Sequence, residues 1–165
     1  MLDWRNARTS DRPSLRNFTC ADPANVEFDE ERGFESHDAP WEFEVQEHVQ
    51  HLNPPFHPPH FMCLGFDEDG LAAVVTFLVT EFDRHCFIPA VAVAHRASGR
   101  GYAGEAIDRV HNVLSAYGIS DDYFGNARID PDNDAAKTVF SNRGYQYLET
   151  SDGYELWGQL FKAGL

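Results

Sequence analysis

The amino-acid sequence predicts a protein of the α/β (α+β) class, in which helices flank a mixed, mostly antiparallel central sheet of about six to seven strands. Three observations support this prediction. Apolar runs of strand length follow one another between residues 61 and 93, separated by short polar turns. A helical pattern with three- and four-residue steps follows at residues 102–117. Another strand, another helix and a hairpin are predicted up to residue 161.

The pattern of apolar and polar residues that predicts secondary structure is weakest in the first 60 residues. Residues 1–20 suit a first strand and a short helix, without defined bounds. Residues 21–47 hold ten acidic residues against one base, Arg32, and the first part of this segment has no period, which predicts a loop. A helix is predicted from Pro40, because proline suits a first helical turn, and Pro54-Pro55 ends it in a rigid loop. The apolar face of this helix consists of Trp41, Val45, Val49 and Leu52.

The central part of the chain predicts three antiparallel strands and a long helix. The strands are expected at 61–66, 71–82 and 87–93, joined by polar turns. The helix buries one face and ends at Gly118, which suits the position just after a helix. The residues of that face are Ala106, Ile107, Val110, Val113, Leu114 and Tyr117.

The last part of the chain predicts a strand, a helix and a hairpin. The strand is expected at 123–129, and Asp132 or Asn133 caps the helix that follows. Gly144 stops this helix, and residues 145–161 form a hairpin that turns around Ser151-Asp152-Gly153.

Length and composition narrow the class of protein. A chain of 165 residues suits one domain, 1–165, and the N-terminus has no apolar stretch of the secretory-signal type. The longest apolar run, at 71–79, is too short to cross a bilayer, so no membrane partner is expected. The cysteines, Cys20, Cys63 and Cys86, are few and scattered, which favours reduced thiols and a cytoplasmic location.

The formal net charge of −14 disfavours nucleic acid as a partner, because binding phosphates requires Lys and Arg. It suits a cationic partner, although solubility alone also explains a charge of this sign. The sequence leaves a monomer and a homodimer equally open.

A glycine-rich stretch, Arg96-Ala97-Ser98-Gly99-Arg100-Gly101-Tyr102-Ala103-Gly104, lies where the strand at 87–93 gives way to the long helix. Backbone N–H groups at such a turn point outward, and the helix dipole favours an anion. Glycine lets the backbone approach a phosphate where a Cβ would collide. The stretch lacks the Lys-Ser/Thr ending of a nucleotide P-loop, and its glycines are not spaced as in a Rossmann fingerprint.

Two motifs together resemble the GCN5-related N-acetyltransferase family. The first is the Arg96-x-x-Gly99-x-Gly101 spacing, which resembles the pyrophosphate loop of that family. The second lies one strand further on and consists of Asn133, Ala136, Phe140, Gly144 and Tyr145. The resemblance covers Phe61 to Phe161 well and residues 1–60 poorly. It therefore implies a coenzyme-binding core at 61–161 and an acidic acceptor side at 1–60.

The resemblance implies acetyl-coenzyme A as co-substrate, no metal, and a primary amine as acceptor, either a cationic small molecule or a protein amine. In the family, two neighbouring strands splay apart around the pantetheine arm, which pairs with exposed backbone. That role falls here on Ala90 and Val91, with Val93 as a second register, and the amides of residues 96–102 would hold the pyrophosphate. The implied coenzyme-binding residues are Ala90, Val91, Val93, Arg96, Ala97, Ser98, Gly99, Arg100, Gly101, Tyr102, Asn133, Ala136 and Phe140.

The usual catalytic groups of the family are missing. Phe140 stands where most members have a Tyr that acts as the acid, and Cys86 or Phe87 stands where many have a Glu. An acceptor ammonium has a pKa near 10 and must lose a proton before it attacks the thioester. The catalytic residues therefore remain open. The candidates are Glu81, Asp83, His85 and Tyr123 near strand ends, and Ser141 as a proton donor.

Four histidines form two His-x-x-His steps, but their spacing favours surface roles over zinc. The first pair lies on the predicted helix and the second on the proline loop, and no Cys or acid completes a known zinc pattern. These residues are His48, His51, His57 and His60.

Two alternatives to an amine acetyltransferase stay open. One is a binding module that keeps the coenzyme site without catalysis, which the missing Tyr and Glu motivate. The other is a toxin of the same family that acetylates aminoacyl-tRNA. The net charge and the acidic 21–47 segment argue against the toxin, because they would repel the tRNA backbone.

Overall fold

The computed structural model describes residues 1–29, 34–80, 82, 84–118 and 123–161. Within these residues the helices are α1 (Arg12–Arg16), α2 (Pro40–His51), α3 (Tyr102–Ala116) and α4 (Asp134–Ser141). The strands are β1 (Asp3–Asn6), β2 (Val26–Asp29), β3 (Phe34–His37), β4 (His60–Asp67), β5 (Gly70–Thr80), β6 (His85–Val93), β7 (Tyr123–Ile129), β8 (Gln146–Ser151) and β9 (Tyr154–Phe161).

Seven of these strands form one mixed sheet in the order β1-β4-β5-β6-β7-β9-β8. Only the β6–β7 pair is parallel among the described strands. The long α3 connects these two strands, as a parallel pair requires a crossover connection. The predicted fold class, a mostly antiparallel sheet of six to seven strands with flanking helices, is confirmed.

The prediction of a loop for the first part of the acidic segment is wrong. β2 and β3 form a two-stranded antiparallel sheet of their own, with Val26 opposite His37 and Asp29 opposite Phe34. An isolated hairpin of this kind has little stability by itself. The contact between β3 and α2 therefore helps to stabilise this pairing. The sequence does not predict it, because the segment has no clear alternation of apolar and polar residues.

Smaller differences concern the ends of elements. β5 ends at Thr80 rather than at residue 82, and Phe82 lies in a turn with its side chain almost fully exposed. Tyr117 is the residue after α3 rather than part of it, yet its ring packs edge-on against Phe61 at 5.2 Å. Of the two predicted caps of α4, Asn133 is the one that accepts a hydrogen bond, from the N–H of Ala136.

Each face of the sheet carries its own apolar core. On one face, α3 and α4 cover a cluster that includes Phe77, Ile107 and Phe140. On the other face, α1 and α2 cover a cluster that includes Leu15 and Val49. The space between β6 and β7 lies between these two layers, so helices from both sides reach it.

The N-terminal residues are fixed to the sheet edge. β1 pairs with β4, and Arg5 forms a two-pronged ion pair with the buried carboxylate of Asp11, at 2.6 and 2.8 Å. The hydrogen bond from Arg5 lowers the pKa of Asp11. Pairing of this type anchors the turn before α1 and with it the layer that covers the second face.

Candidate active site

β6 and β7 separate after three residue pairs. The pairs are His85 with Phe124, Cys86 with Gly125 and Phe87 with Asn126. Beyond Phe87 the register between β5 and β6 shifts, between Thr76 and Leu78, and Pro89 lies in the shifted part of β6. A bulge bends the strand that carries it, and proline has no N–H to donate to a neighbouring strand. Both features direct β6 away from β7 and open a V-shaped gap.

A cavity of about 560 Å³ occupies this gap. It extends from the start of α3, past the open edges of β6 and β7, to the side of α2. β6 contributes residues 87–93 to its wall, and the end of β7 with the residue after it contributes 127–130. The remaining lining residues are Cys20, Trp41, Glu42, Glu44, Val45, His48, Ser98, Ala103, Asn133, Ala135, Ala136, Val139, Phe140 and Tyr154. A volume of this size suits a ligand of cofactor dimensions.

The glycine-rich loop forms one end of the cavity. Gly99 and Gly101 have φ values of 76° and 81°, which side chains other than glycine rarely adopt. A Cβ built on either would meet no described atom within 4 Å, so the outer side of the loop is open. None of the described groups accepts a hydrogen bond from the backbone N–H groups of residues 99–103. With the dipole of α3 behind them, open amides of this kind are suited to an anion, which agrees with the predicted pyrophosphate position.

The open amides differ somewhat from the predicted set, which ran from 96 to 102. The N–H groups of Ala97 and Ser98 already donate to the carbonyls of Ala94 and His95. Ala97 is fully buried in the core on the α1 and α2 side. Within the predicted cradle, the N–H groups of Ala97 and Ser98 are therefore already bonded to the chain, and the cradle as a whole stays a prediction.

The Arg96 side chain ties the loop to the β4–β5 turn. Its two terminal nitrogens donate to the two carboxylate oxygens of Asp67, both at 2.9 Å, and one of them also donates to the carbonyl of Leu71. The hydrogen bond from Arg96 lowers the pKa of Asp67. The side chain of Arg96 therefore positions the loop, whereas Arg100 is about half exposed and reaches Asp67 only at 3.9 Å. Arg100 can turn towards a phosphate at little cost.

We expect Arg96→Ala to weaken coenzyme A binding by about tenfold, because a loop that is free to move must be ordered when the ligand binds. Asp67→Ala should cause the same loss, and the double variant should add little, since both changes break one interaction. Isothermal titration with coenzyme A measures all three. Losses that simply add would contradict the positioning role.

The other wall of the gap comes from α4. The Asn133 carboxamide oxygen caps the helix at 3.0 Å from the Ala136 nitrogen, which leaves its NH₂ group for a ligand. Phe140 is buried, and its ring meets that of Tyr145 edge-on at 5.0 Å. Burial raises the pKa of Tyr145, whose hydroxyl lies 3.5 Å from Nε2 of His111. The phenol of Tyr145 thus belongs to the core behind Phe140.

The predicted coenzyme residues fall into two groups. Seven line the cavity: Ala90, Val91, Val93, Ser98, Asn133, Ala136 and Phe140. The others lie in or beside the loop at its end, where Gly99, Arg100 and Gly101 are exposed and Tyr102 packs against the α1 and α2 core. Their contacts with a coenzyme stay predictions.

None of the predicted catalytic candidates that the structure describes lines the cavity. Tyr123 is buried in the core on the α3 and α4 side, and His85 stacks on Phe124 at 6.0 Å. Ser141 is exposed at the end of α4 and is not among the described residues of the cavity wall. Glu81 and Asp83 lie outside the described residues.

The sequence analysis places an acidic acceptor side within residues 1–60 but does not single out the residues that form the far end of the cavity. Trp41, Glu42, Glu44 and His48 come from α2, and Cys20 comes from the turn that packs beside it. Burial raises the pKa of the Cys20 thiol to about 12. The available signal was the i, i+4 step from Glu44 to His48 on one helix face, but nothing in the local pattern indicates that this face meets β6.

The structure brings no three potential metal ligands together among the described residues, and the four histidines at 48, 51, 57 and 60 form no such group. In the same part of the chain, no helix has both the length and the apolar character that a membrane span needs.

Comparison with protein-family models and with curated proteins finds no match for the sequence. Solved structures do match the fold over nearly the whole chain. An N-acetyltransferase PaiA from Thermoplasma acidophilum, in complex with coenzyme A, has a TM-score of 0.69 at 10% identity, covering 98% of this chain and 99% of its own. Nourseothricin acetyltransferase gives 0.64 at 14% identity, covering 99% of both chains.

A third neighbour is the spermidine/spermine N-acetyltransferase SpeG from Vibrio cholerae. Its TM-score is 0.62 at 14% identity, and the match covers 97% of this chain and 95% of the neighbour. At such identities the likeness establishes the architecture and nothing finer. β6 and β7 pair in parallel and then separate, the glycine-rich loop lies at the open end of that gap, and the strand order is that of a seven-stranded mixed sheet. Together with the structural matches, these features show that the chain has the fold of the GCN5-related N-acetyltransferases.

Proposed function

We propose that this protein is an acyltransferase that moves the acetyl group of acetyl-coenzyme A to the primary amine of a cationic acceptor. The observation that carries the proposal is one continuous cavity that extends from the open glycine loop to an acidic helix face. The glycine loop suits a pyrophosphate at one end, and α2 presents Glu42 and Glu44 at the other. The two ends meet at the gap between β6 and β7.

The chain's own groups fit the coenzyme. The open edges of β6 beyond Phe87 offer backbone groups to an amide-containing arm, since strand pairing with β7 stops there. Ala136 and Phe140 give an apolar surface for the thioester end. Acetyl-coenzyme A supplies an activated acyl group, and the residues of the gap orient it and shield it from water.

The acceptor end suits a cation. Trp41, Glu42 and Glu44 line this end of the cavity, and an indole and carboxylates are both favourable partners for an ammonium group. One structural neighbour is named for polycationic substrates, spermidine and spermine. The net charge of −14 adds a long-range attraction for such molecules.

Acetyl transfer is tested by mixing the protein with acetyl-coenzyme A and a panel of polyamines, aminoglycosides and basic peptides, and measuring acetylated product by mass spectrometry. For the best acceptor, kcat/KM should fall as salt rises, because ions screen charges over about 8 Å at physiological ionic strength. Coenzyme affinity should change much less. An anionic preferred acceptor, or acceptor kinetics that salt leaves unchanged, would contradict the cationic assignment.

A coenzyme-binding module without turnover is the second candidate, and Phe140 favours it. The residue at this point of the cavity carries no ionisable group. Tight coenzyme binding with no acetylated product on any amine of the panel would support the module over the enzyme.

A further inference from the structure

The acceptor end of the cavity contains an imidazole that the proposed reaction has not yet used. His48 lies on α2 and lines the cavity, and Glu44 lines it one helical turn earlier. Residues four apart on a helix are neighbours on its surface. His48 is also exposed to solvent, so a proton that it takes up can pass on to water.

The reaction requires a proton acceptor at this end. An alkylammonium ion has no lone pair with which to attack a carbonyl carbon, and near neutral pH only about one amine in a thousand is unprotonated. A base positioned at the ammonium raises the concentration of the reactive form where it is needed. The group must touch the substrate and must itself be unprotonated near neutral pH.

The other titratable groups of the described cavity wall meet this requirement less well. These groups are Cys20, Glu42, Glu44, Arg128, Asp130 and Tyr154. Guanidinium and phenol groups in general hold their protons near neutral pH. Burial raises the pKa of the Cys20 thiol to about 12, so this thiol also stays protonated.

The carboxylates contribute negative charge to this end of the cavity but are less suited to remove the proton. Glu42 accepts the N–H of Asp22 at 3.0 Å, and Asp130 accepts the N–H of Asp132 at 2.9 Å, so each orders a turn of the backbone. Carboxylates are also weak bases toward an ammonium ion. Glu44 is suited to hold the cation, whereas imidazole is the side chain whose protonation changes nearest neutral pH.

We propose that His48 is the general base of acetyl transfer and that Glu44 holds the acceptor ammonium beside it, an inference that rests on the proposed function. One imidazole nitrogen of His48 takes a proton from the ammonium. The freed nitrogen lone pair forms the C–N bond at the thioester carbonyl, and the C–S bond breaks. The thiolate receives the second proton lost by the nitrogen, so the products are an N-acetyl amine and the free thiol. His48 returns its proton to water.

The test compares His48→Gln with His51→Gln, which makes the same change on the same helix. His51 hydrogen-bonds the carbonyl of Glu47 at 2.7 Å and is not among the described residues of the cavity wall. For both variants and wild type, kcat/KM for the best acceptor is measured from about pH 6.5 to 9.5, and the Kd for coenzyme A by isothermal titration.

We expect His48→Gln to lower kcat/KM by about 10²-fold at pH 7, the usual scale for a general base. The deficit should shrink towards pH 9.5, because a growing fraction of the acceptor ammonium then loses its proton to solvent without a catalytic base. His51→Gln should match wild type, and the Kd for coenzyme A should be the same in all three proteins. Together these results would support the base assignment.

Two results would overturn it. If His48→Gln matched His51→Gln, or if its deficit were constant with pH, His48 would not act as a base even though the enzyme is active. If wild type acetylated no amine while it bound coenzyme A, the proposed function would fail and the base assignment with it.

Discussion

Gly99→Val should bind coenzyme A at least about 100-fold more weakly than wild type while remaining folded. Gly99 has φ 76°, where a β-branched side chain costs about 1–2 kcal/mol. No described atom lies within 4 Å of the added Cβ, so the chain itself does not clash with it. The space it enters is the open side of the loop, where the pyrophosphate is proposed to lie. Losing several charge-assisted hydrogen bonds accounts for a change of this size.

Gly118→Val provides the matched control. Gly118 has φ 72°, and there too no described atom lies within 4 Å of an added Cβ. It lies beyond the other end of the 15-residue helix α3, about 22 Å from the loop. Both variants should therefore lose similar stability in thermal unfolding, and only Gly99→Val should lose affinity in isothermal titration. Equal coenzyme affinity in the two folded variants would place the pyrophosphate elsewhere.

The sequence predicted the half of the site that depends on local structure. Strand 87–93, the glycines after it and the helix at 102–116 are neighbours in the chain, so their pattern fixes the loop that they form together. The Asn133 cap is also local, since its hydrogen bond spans three residues.

The other half depends on contacts between distant residues. The Arg96 side chain binds Asp67, 29 positions earlier, and no local pattern predicts this contact with the β4–β5 turn. The α2 face that carries Glu44 and His48 meets β6, about 40 residues further along the chain. Hydrophobic period locates a helix but does not say which strand its polar edge faces.

The hairpin of β2 and β3 illustrates a second limit. Its strands are four residues long and acidic, so neither length nor alternation distinguishes them from a loop. The β6 bulge was not predicted either, because the apolar run at 87–93, which contains Pro89, predicts a strand without marking a register shift. In the structure that proline lies where β6 leaves β7.

Phe140→Tyr should raise kcat by about 100-fold, the low end of what a general acid contributes. Phe140 lines the cavity on α4, at the position where the family usually has a tyrosine. A phenol there could protonate the departing thiolate. Thiols ionise near pH 8.5, so the thiolate is a tolerable leaving group and acid assistance helps without being essential. This gain requires that the chemical step limits turnover.

The neighbouring tyrosine, Tyr145, supplies the control. Tyr145 meets Phe140 edge-on at 5.0 Å, but its own hydroxyl lies beside His111 in the core. Tyr145→Phe should therefore cost stability, about 1 kcal/mol for one lost hydrogen bond, and leave kcat unchanged. Coenzyme affinity should be the same in Phe140→Tyr as in wild type.

If Phe140→Tyr instead left kcat unchanged or lowered it while Ser141→Ala slowed the enzyme, Ser141 would be the proton donor. The phenyl ring of Phe140 would then serve only to pack against the thioester.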